Sequence, residues 1–387
     1  MPVMKLSLLL CAALFAVAPI PINAQAIPDR PGGVQPGSLN KPRIVPLPEA
    51  QWTDVHRKLV AKFAPDGKVD NAFKTLLNVP EMAEAIMPIN HYLSAESSLS
   101  PRHRELLILR TAWLSGSQFL WSRQAARKAT LTAAEVRRIA QGPDAQGWDS
   151  FEAMLLRLAD QLYRNSSVDD ATWKTLAANY DLYHLMDAVE TVNHFTLLAT
   201  MYNSFGVQPD DGTTERLPTD IPYKVLVPAR ESPLKVARVE PLPGNGIAIG
   251  RTFAHYPKLE TERGRRSNYI NRVSPVMPRY REMLILRVGW DSQSEYEWAQ
   301  HVGNTGRARD YGLDPVRIAQ GPDAPGWDSF EVMILRAADE LYRDAIVSDS
   351  TWNALSARFD IRMLMSALFT ASSYRSTSTA LNTFGVQ

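Results

Sequence analysis

The chain has 387 residues, is 45% hydrophobic and 21% charged, and carries a formal net charge of +1. These are globular proportions, and the length suits two domains of about 150–200 residues each. A near-neutral balance without acidic or basic blocks excludes a nucleic-acid footprint and a charged binding tail.

Residues 1–26, "MPVMKLSLLLCAALFAVAPIPINAQA", carry one Lys, an apolar run from Leu6 to Val17 and then small residues. This is the pattern of a secretory signal peptide, with cleavage expected after Ala24 or Ala26 and a periplasmic or secreted mature protein. The apolar run, about 12 residues, is too short to span a bilayer, so no membrane anchor is expected after cleavage. The single cysteine, Cys11, falls inside this segment. The mature chain is therefore expected to lack disulfides, thiolate nucleophiles and Cys-ligated metals. Residues 27–48 read as an extended Pro/Gly-rich arm that either wraps a neighbouring domain or is disordered.

The rest of the chain is written twice. "IAQGPDAQGWDSFEAMLLRLADQLYR" begins at Ile139 and "IAQGPDAPGWDSFEVMILRAADELYR" at Ile318. Upstream, "SPRHRELLILRTAW" from Ser100 pairs with "MPRYREMLILRVGW" from Met277, and both copies close on "FGVQ", at Phe205 and Phe384. A unit of about 150 residues is a duplicated domain, since solenoid repeats have periods of about 20–50. The first repeat is placed at 49–208, a Pro-, Gly- and Asp-rich linker at 209–246, and the second repeat at 247–387. Within each repeat the apolar spacing is helical. Phe330, Met333, Ile334 and Ala337 follow i, i+3, i+4, i+7, with Asp328 or Ser329 where an N-cap belongs. The expected fold is all-α, with about six helices in each of two tandem domains.

The copies differ where titratable groups stand. Ser294, Glu297 and His301 are spaced three and then four residues apart, which places them on one helix face. Glu282 lies on the preceding helix, and Asp291 and Ser292 are candidate caps between them. A carboxylate beside an imidazole suits proton transfer, because the carboxylate fixes the tautomer and raises the pKa; a surface Glu/His pair is the alternative. The first repeat keeps Glu105 and Ser117 but has Leu120 and Gln124 opposite Glu297 and His301. Trp290, Tyr296, Trp298 and Tyr269 are candidates for lining a substrate pocket or for the core. In the first repeat, His184 and His194 face Met363 and Ser373; His194 is carried as a substrate-binding candidate, and Arg123 and Arg127 as carboxylate binders or solvated side chains. No metal-ligand spacing such as H-x-H or H-E-x-x-H occurs, and no metal or other cofactor is expected.

Both repeats resemble the carboxymuconolactone decarboxylase and alkylhydroperoxidase D superfamily. The peroxidase branch has Glu, 11 residues, Cys, two residues, Cys, three residues, His; here those separations hold Glu282, Ser294, Glu297 and His301. The phrase "YEWAQH" is similar to the cysteine-less, decarboxylase-like branch. The resemblance implies catalytic roles for Glu282, Glu297 and His301, no cofactor, and assembly as a homo-oligomer. Single-repeat relatives form dimers and trimers of dimers, so a fused pair implies an intrachain pseudo-dimer and a trimer of tandem chains. It implies decarboxylation or isomerisation of a small aromatic-derived carboxylic acid or lactone, whereas peroxide reduction lacks its thiols. A non-catalytic periplasmic binding or assembly protein is the alternative, set apart by whether Glu297 and His301 are buried or open to solvent.

Overall fold

The structure is a computed structural model describing residues 37–127, 129–221, 234–304 and 306–387. The expected signal segment, Cys11, residues 27–36 of the arm and 222–233 of the linker lie outside the described residues. Among the described residues the regular structure is helical and no strand occurs. The first half holds α1 (Asp54–Phe63), α2 (Asn71–Leu76), α3 (Pro80–His91), α4 (Pro101–Leu114), α5 (Gln118–Arg127), α6 (Ala133–Gln141), α7 (Ser150–Asn165), α8 (Asp170–Ala177) and α9 (Leu182–Phe205). The second holds α10 (Ala248–Phe253), α11 (Pro257–Asn268), α12 (Pro278–Asp291), α13 (Glu295–Ala299), α14 (Arg307–Asp310), α15 (Pro315–Gln320), α16 (Ser329–Asp344), α17 (Asp349–Ser356) and α18 (Ile361–Phe384). Among the described residues, nine α-helices per half exceed the expected count of about six, because pieces as short as α2 and α14 escape a periodicity read over 11–18 residues.

The duplicated sequence folds in duplicate because its caps and anchors are duplicated. Asp149 and Asp328 accept the first free N–H groups of α7 and α16, and Asp181 and Asp360 do the same for α9 and α18. The arginine of each "LILR" is buried. Arg110 grips Asp160 of α7 at 2.6 Å, and its counterpart Arg287 grips Asp339 of α16 at 2.5 Å. Each also donates to two carbonyls of the "IAQGPD" segment, so one guanidinium ties three elements together.

The longest helices, α9 and α18, pack against each other and are buried along nearly their whole length. α4 packs on α7 and α9, and α12 packs on α16 and α18. The seam between the halves is reciprocal. Asn203 of α9 donates to Ser115 O in its own half and Ala345 O in the other; Asn382 of α18 donates to Ser292 O and Ser166 O. Phe205 meets Trp352 across the seam, and Phe384 meets Trp173.

The arm, so far as it is described, wraps. The N–H groups of Arg43 and Ile44 donate to Phe205 O, while the Arg43 guanidinium crosses to Trp352 and to Asp349 of the other half. The described end of the linker mirrors it, with Arg238 and Val239 on Phe384 O and the Arg238 guanidinium on Trp173 and Asp170. The backbone passes so close to the helix ends that both must be glycine. Gly206 and Gly385 have φ of 70° and 69°, and a Cβ on Gly206 would stand 2.5 Å from Lys41 O.

Candidate active site

The candidate site is built where α12 lies beside α13. α12 carries Glu282, 1% exposed, and the Glu297 stem rests against Gly289 one helix over. α13 is brief. It starts after Ser294, ends at Ala299, and gives way to a wider π-helical turn, Gln300–Asn304, that holds His301. The single regular helix face expected from the spacing is thus corrected to one α-turn plus one π-turn. Turns of this kind recur at functional sites, where they re-aim a side chain. The first half has none at this place, and α5 runs as a regular helix through Gln124. The second half is also two residues longer here. Glu282 to Ile318 spans 318 − 282 = 36 positions, against 139 − 105 = 34 from Glu105 to Ile139.

His301 sits between two carboxylates. Nδ1 is 2.6 Å from Glu282 Oε1 and Nε2 is 2.9 Å from Glu297 Oε1, with all three side chains buried. Burial opposes the charged imidazole, but the hydrogen bonds to Glu282 and then Glu297 outweigh it and raise the pKa to about 9. At neutral pH the ring is therefore an imidazolium donating from both nitrogens.

Three residues not anticipated from the sequence complete the surroundings. The Tyr374 ring, on α18, meets the His301 ring edge to face at 5.6 Å. Asn271 lies near the Tyr374 hydroxyl and itself accepts from Arg307 at 3.4 Å. Burial, followed by the charge of Glu297, pushes the Tyr374 pKa up, so the phenol stays protonated. The signal was present in the aligned final helices, where Tyr374 stands opposite Phe195.

The other expected residues divide. Ser294 is the N-cap residue of α13, but its buried hydroxyl makes no cap bond and has no hydrogen-bond partner among the described residues. The suggested caps act elsewhere: Asp291 is the last residue of α12 and faces Arg287, and Ser292 ends that helix. Trp290 and Trp298 pair with each other at 5.4 Å. Tyr296, Tyr269 and His194 have partners of their own, which for the two tyrosines is the core alternative. The Tyr296 hydroxyl accepts from Ile249 N on α10. Tyr269 shares a 2.7 Å hydrogen bond with Ser366 and packs on Phe369. His194 is fully buried in α9 beside Asn90 and Phe195, and burial, aided by the Arg266 charge, holds its ring neutral. His184 packs on Tyr180 and bonds the cap Asp181, and Arg123 pairs with Asp70.

In the first half, Glu105 survives as a carboxylate taken up by Thr130, which donates both its N–H and its hydroxyl. Leu120 is buried where Glu297 would be. Described linker residues also bind α5: Gln118 and Ser122 donate to Glu215 O, and Leu217 N donates to Gln118. Among the described residues no group of three or more His, Asp or Glu is disposed to hold a metal ion, and no helix is long and apolar enough to cross a membrane.

Residues 80–160 match the family model described as the Carboxymuconolactone decarboxylase family. The match runs from the start of α3 into α7, within the half that lacks the imidazole. No curated protein matches the chain.

Proposed function

Because the chain carries a carboxymuconolactone decarboxylase-like domain, we propose that it is a cofactor-independent acid–base enzyme whose chemistry is confined to the second half. Its reaction is decarboxylation, or the related proton-shift isomerisation, of a small aromatic-derived carboxylic acid or lactone. One observation carries this reading: a buried imidazole held between the Glu282 and Glu297 carboxylates. Solvent-open Glu297 and His301 would instead have suited a binding or assembly protein, and both are buried.

In a decarboxylation the C–C bond to the carboxylate breaks, carbon dioxide leaves, and the electron pair moves onto a conjugated carbonyl as an enolate. The remaining requirement is a proton delivered to carbon. Glu282, the most enclosed partner, fixes the ring through Nδ1. The Nε2 proton, shared with the less enclosed Glu297, is the one handed on, and water restores it. In an isomerisation Glu297 takes a proton from one carbon and His301 returns it at another. Thiol-based peroxide reduction finds Ser294 and Glu297 at the two cysteine positions, and Cys11 is the chain's single cysteine.

The test is a screen of aromatic acids and lactones with purified protein, following loss of carbon dioxide by mass, with the Glu297→Leu/His301→Gln double variant as control. That variant copies Leu120 and Gln124. A substrate turned over equally by both proteins would end this assignment. Export from the cytoplasm is part of the proposal, and an intact mass of the native protein that includes Met1 would refute it.

A further inference from the structure

We infer that Tyr374 is a third working group of this site, its hydroxyl donating a hydrogen bond to the substrate oxygen on which negative charge develops. The inference rests on the acid–base reading above and adds a residue to it.

Three independent observations carry it. The first is position: the ring lies against His301, and both Glu297 and Glu282 act on the phenol electrostatically. A group there can reach whatever His301 protonates. The second is hydrogen-bond accounting. Asn271 Oδ1 already accepts from Arg307, and its amide donates to Ser267 O. The phenol proton is thus not taken up by Asn271 and remains available to give. The third is the difference between the halves. The first half has lost the imidazole and its carboxylate neighbour, and at the same places it has Phe195 for Tyr374 and Ser94 for Asn271. Phe195 is 3% exposed in the same packing position, so helix packing here is met by a ring without a hydroxyl.

Glu282, Glu297 and His301 are buried, whereas Tyr374, Asn271 and Arg307 are partly exposed. Arg307 places a cation beside Asn271, suited to an anionic ligand. An enolate oxygen met by a phenol donor, with an imidazolium alongside, is stabilised by groups already in place.

The experiment uses 4-nitrophenolate, whose oxygen carries the charge of the proposed enolate, and 4-nitroanisole, the same ring without that charge. Both are titrated against wild type, Tyr374→Phe and His301→Gln at a pH above the titration of the nitrophenol and below that of His301. Wild type should bind the phenolate in preference to the anisole. Tyr374→Phe should weaken the phenolate about 10- to 100-fold, as loss of a hydrogen bond to a charged group does, and leave the anisole unchanged. If His301→Gln weakens the phenolate while Tyr374→Phe does not, the role of Tyr374 is overturned and the acid–base reading stands. An equal loss for both probes in Tyr374→Phe marks a purely structural role and also overturns it. Wild type that prefers neither probe overturns both the inference and the reading beneath it.

Discussion

The α4–α5 region of the first half and the α12–α13 region of the second share a sequence pattern and solve different problems. Both retain a buried glutamate on the first helix and a buried serine at the start of the second. In the first half the glutamate is satisfied locally by Thr130, the next helix is regular, and described linker residues lie along it. In the second half the glutamate holds an imidazolium, the helix breaks into a π-turn, and a tyrosine hydroxyl has been added. The scaffold residues Arg110 and Arg287, Asn203 and Asn382, are the same in both. The first half keeps the fold with Leu120 and Gln124 in place of Glu297 and His301, because the groups that hold the helices are not the groups at this site.

The largest expected effect is on turnover. His301→Gln should reduce kcat on any substrate found by about 10²–10⁴-fold, the usual weight of a general acid. A variant that keeps wild-type kcat/KM would place the chemistry outside the second-half site.

The next effect is on stability, and it separates the halves in a way the substitution Gln124 alone does not convey. His301→Gln leaves Glu282 and Glu297 buried and facing each other, and removing one member of a buried ionic group costs about 3–5 kcal/mol. Adding Glu297→Leu removes one of the two carboxylates and should restore about 1–3 kcal/mol of that loss in denaturant titrations. The pH dependence follows from the raised pKa of His301. Its folded value, about 9, lies above the ordinary 6.5, so its stabilising contribution is complete below about 6.5 and lost as pH rises through about 9. The gap between wild type and His301→Gln should therefore narrow over that interval, and a gap that stays constant across it would show the imidazole is held neutral.

A smaller effect probes what the halves share. Asn203→Ala and Asn382→Ala each leave two carbonyls without their donor and should cost about 1–3 kcal/mol, in similar amounts. A cost confined to one of them would mean that the seam is reciprocal in geometry but not in energy. Least of all is expected from Leu120→Glu/Gln124→His in a His301→Gln background. Turnover should not return, because Glu105 is occupied by Thr130, α5 has no π-turn, and Phe195 offers no hydroxyl. Recovery of activity would show that spacing alone makes the site.

Much of this was legible in the sequence, and the reasons are local. Repeat boundaries, helical periodicity and caps such as Asp328 depend on neighbours within a turn or two. The i, i+4 separation of Glu297 and His301 brought them together, as expected for adjacent turns, and the family spacing pointed to Glu282. Tyr374, Asn271 and Arg307 come from three other elements, and no periodicity links α18 to α13. Tyr296 and Tyr269 looked like pocket residues because aromatic character is visible in sequence while the partner that occupies a hydroxyl is not. The π-turn was signalled by two extra residues between Glu282 and Ile318, a length difference whose location only the backbone shows.

The crossed arms and paired asparagines bear on how the molecule comes apart. Each half ends in a helix whose terminal carbonyl is covered by its own extended segment, and that segment's arginine is anchored in the opposite half. Opening one half strips partners from the other, so neither has a folded state it can reach alone with all its buried groups satisfied. Heating should then produce one cooperative transition with equal calorimetric and van't Hoff enthalpies, as for a single domain. A chain nicked within residues 222–233 should melt as a bimolecular complex, at a temperature that rises with protein concentration.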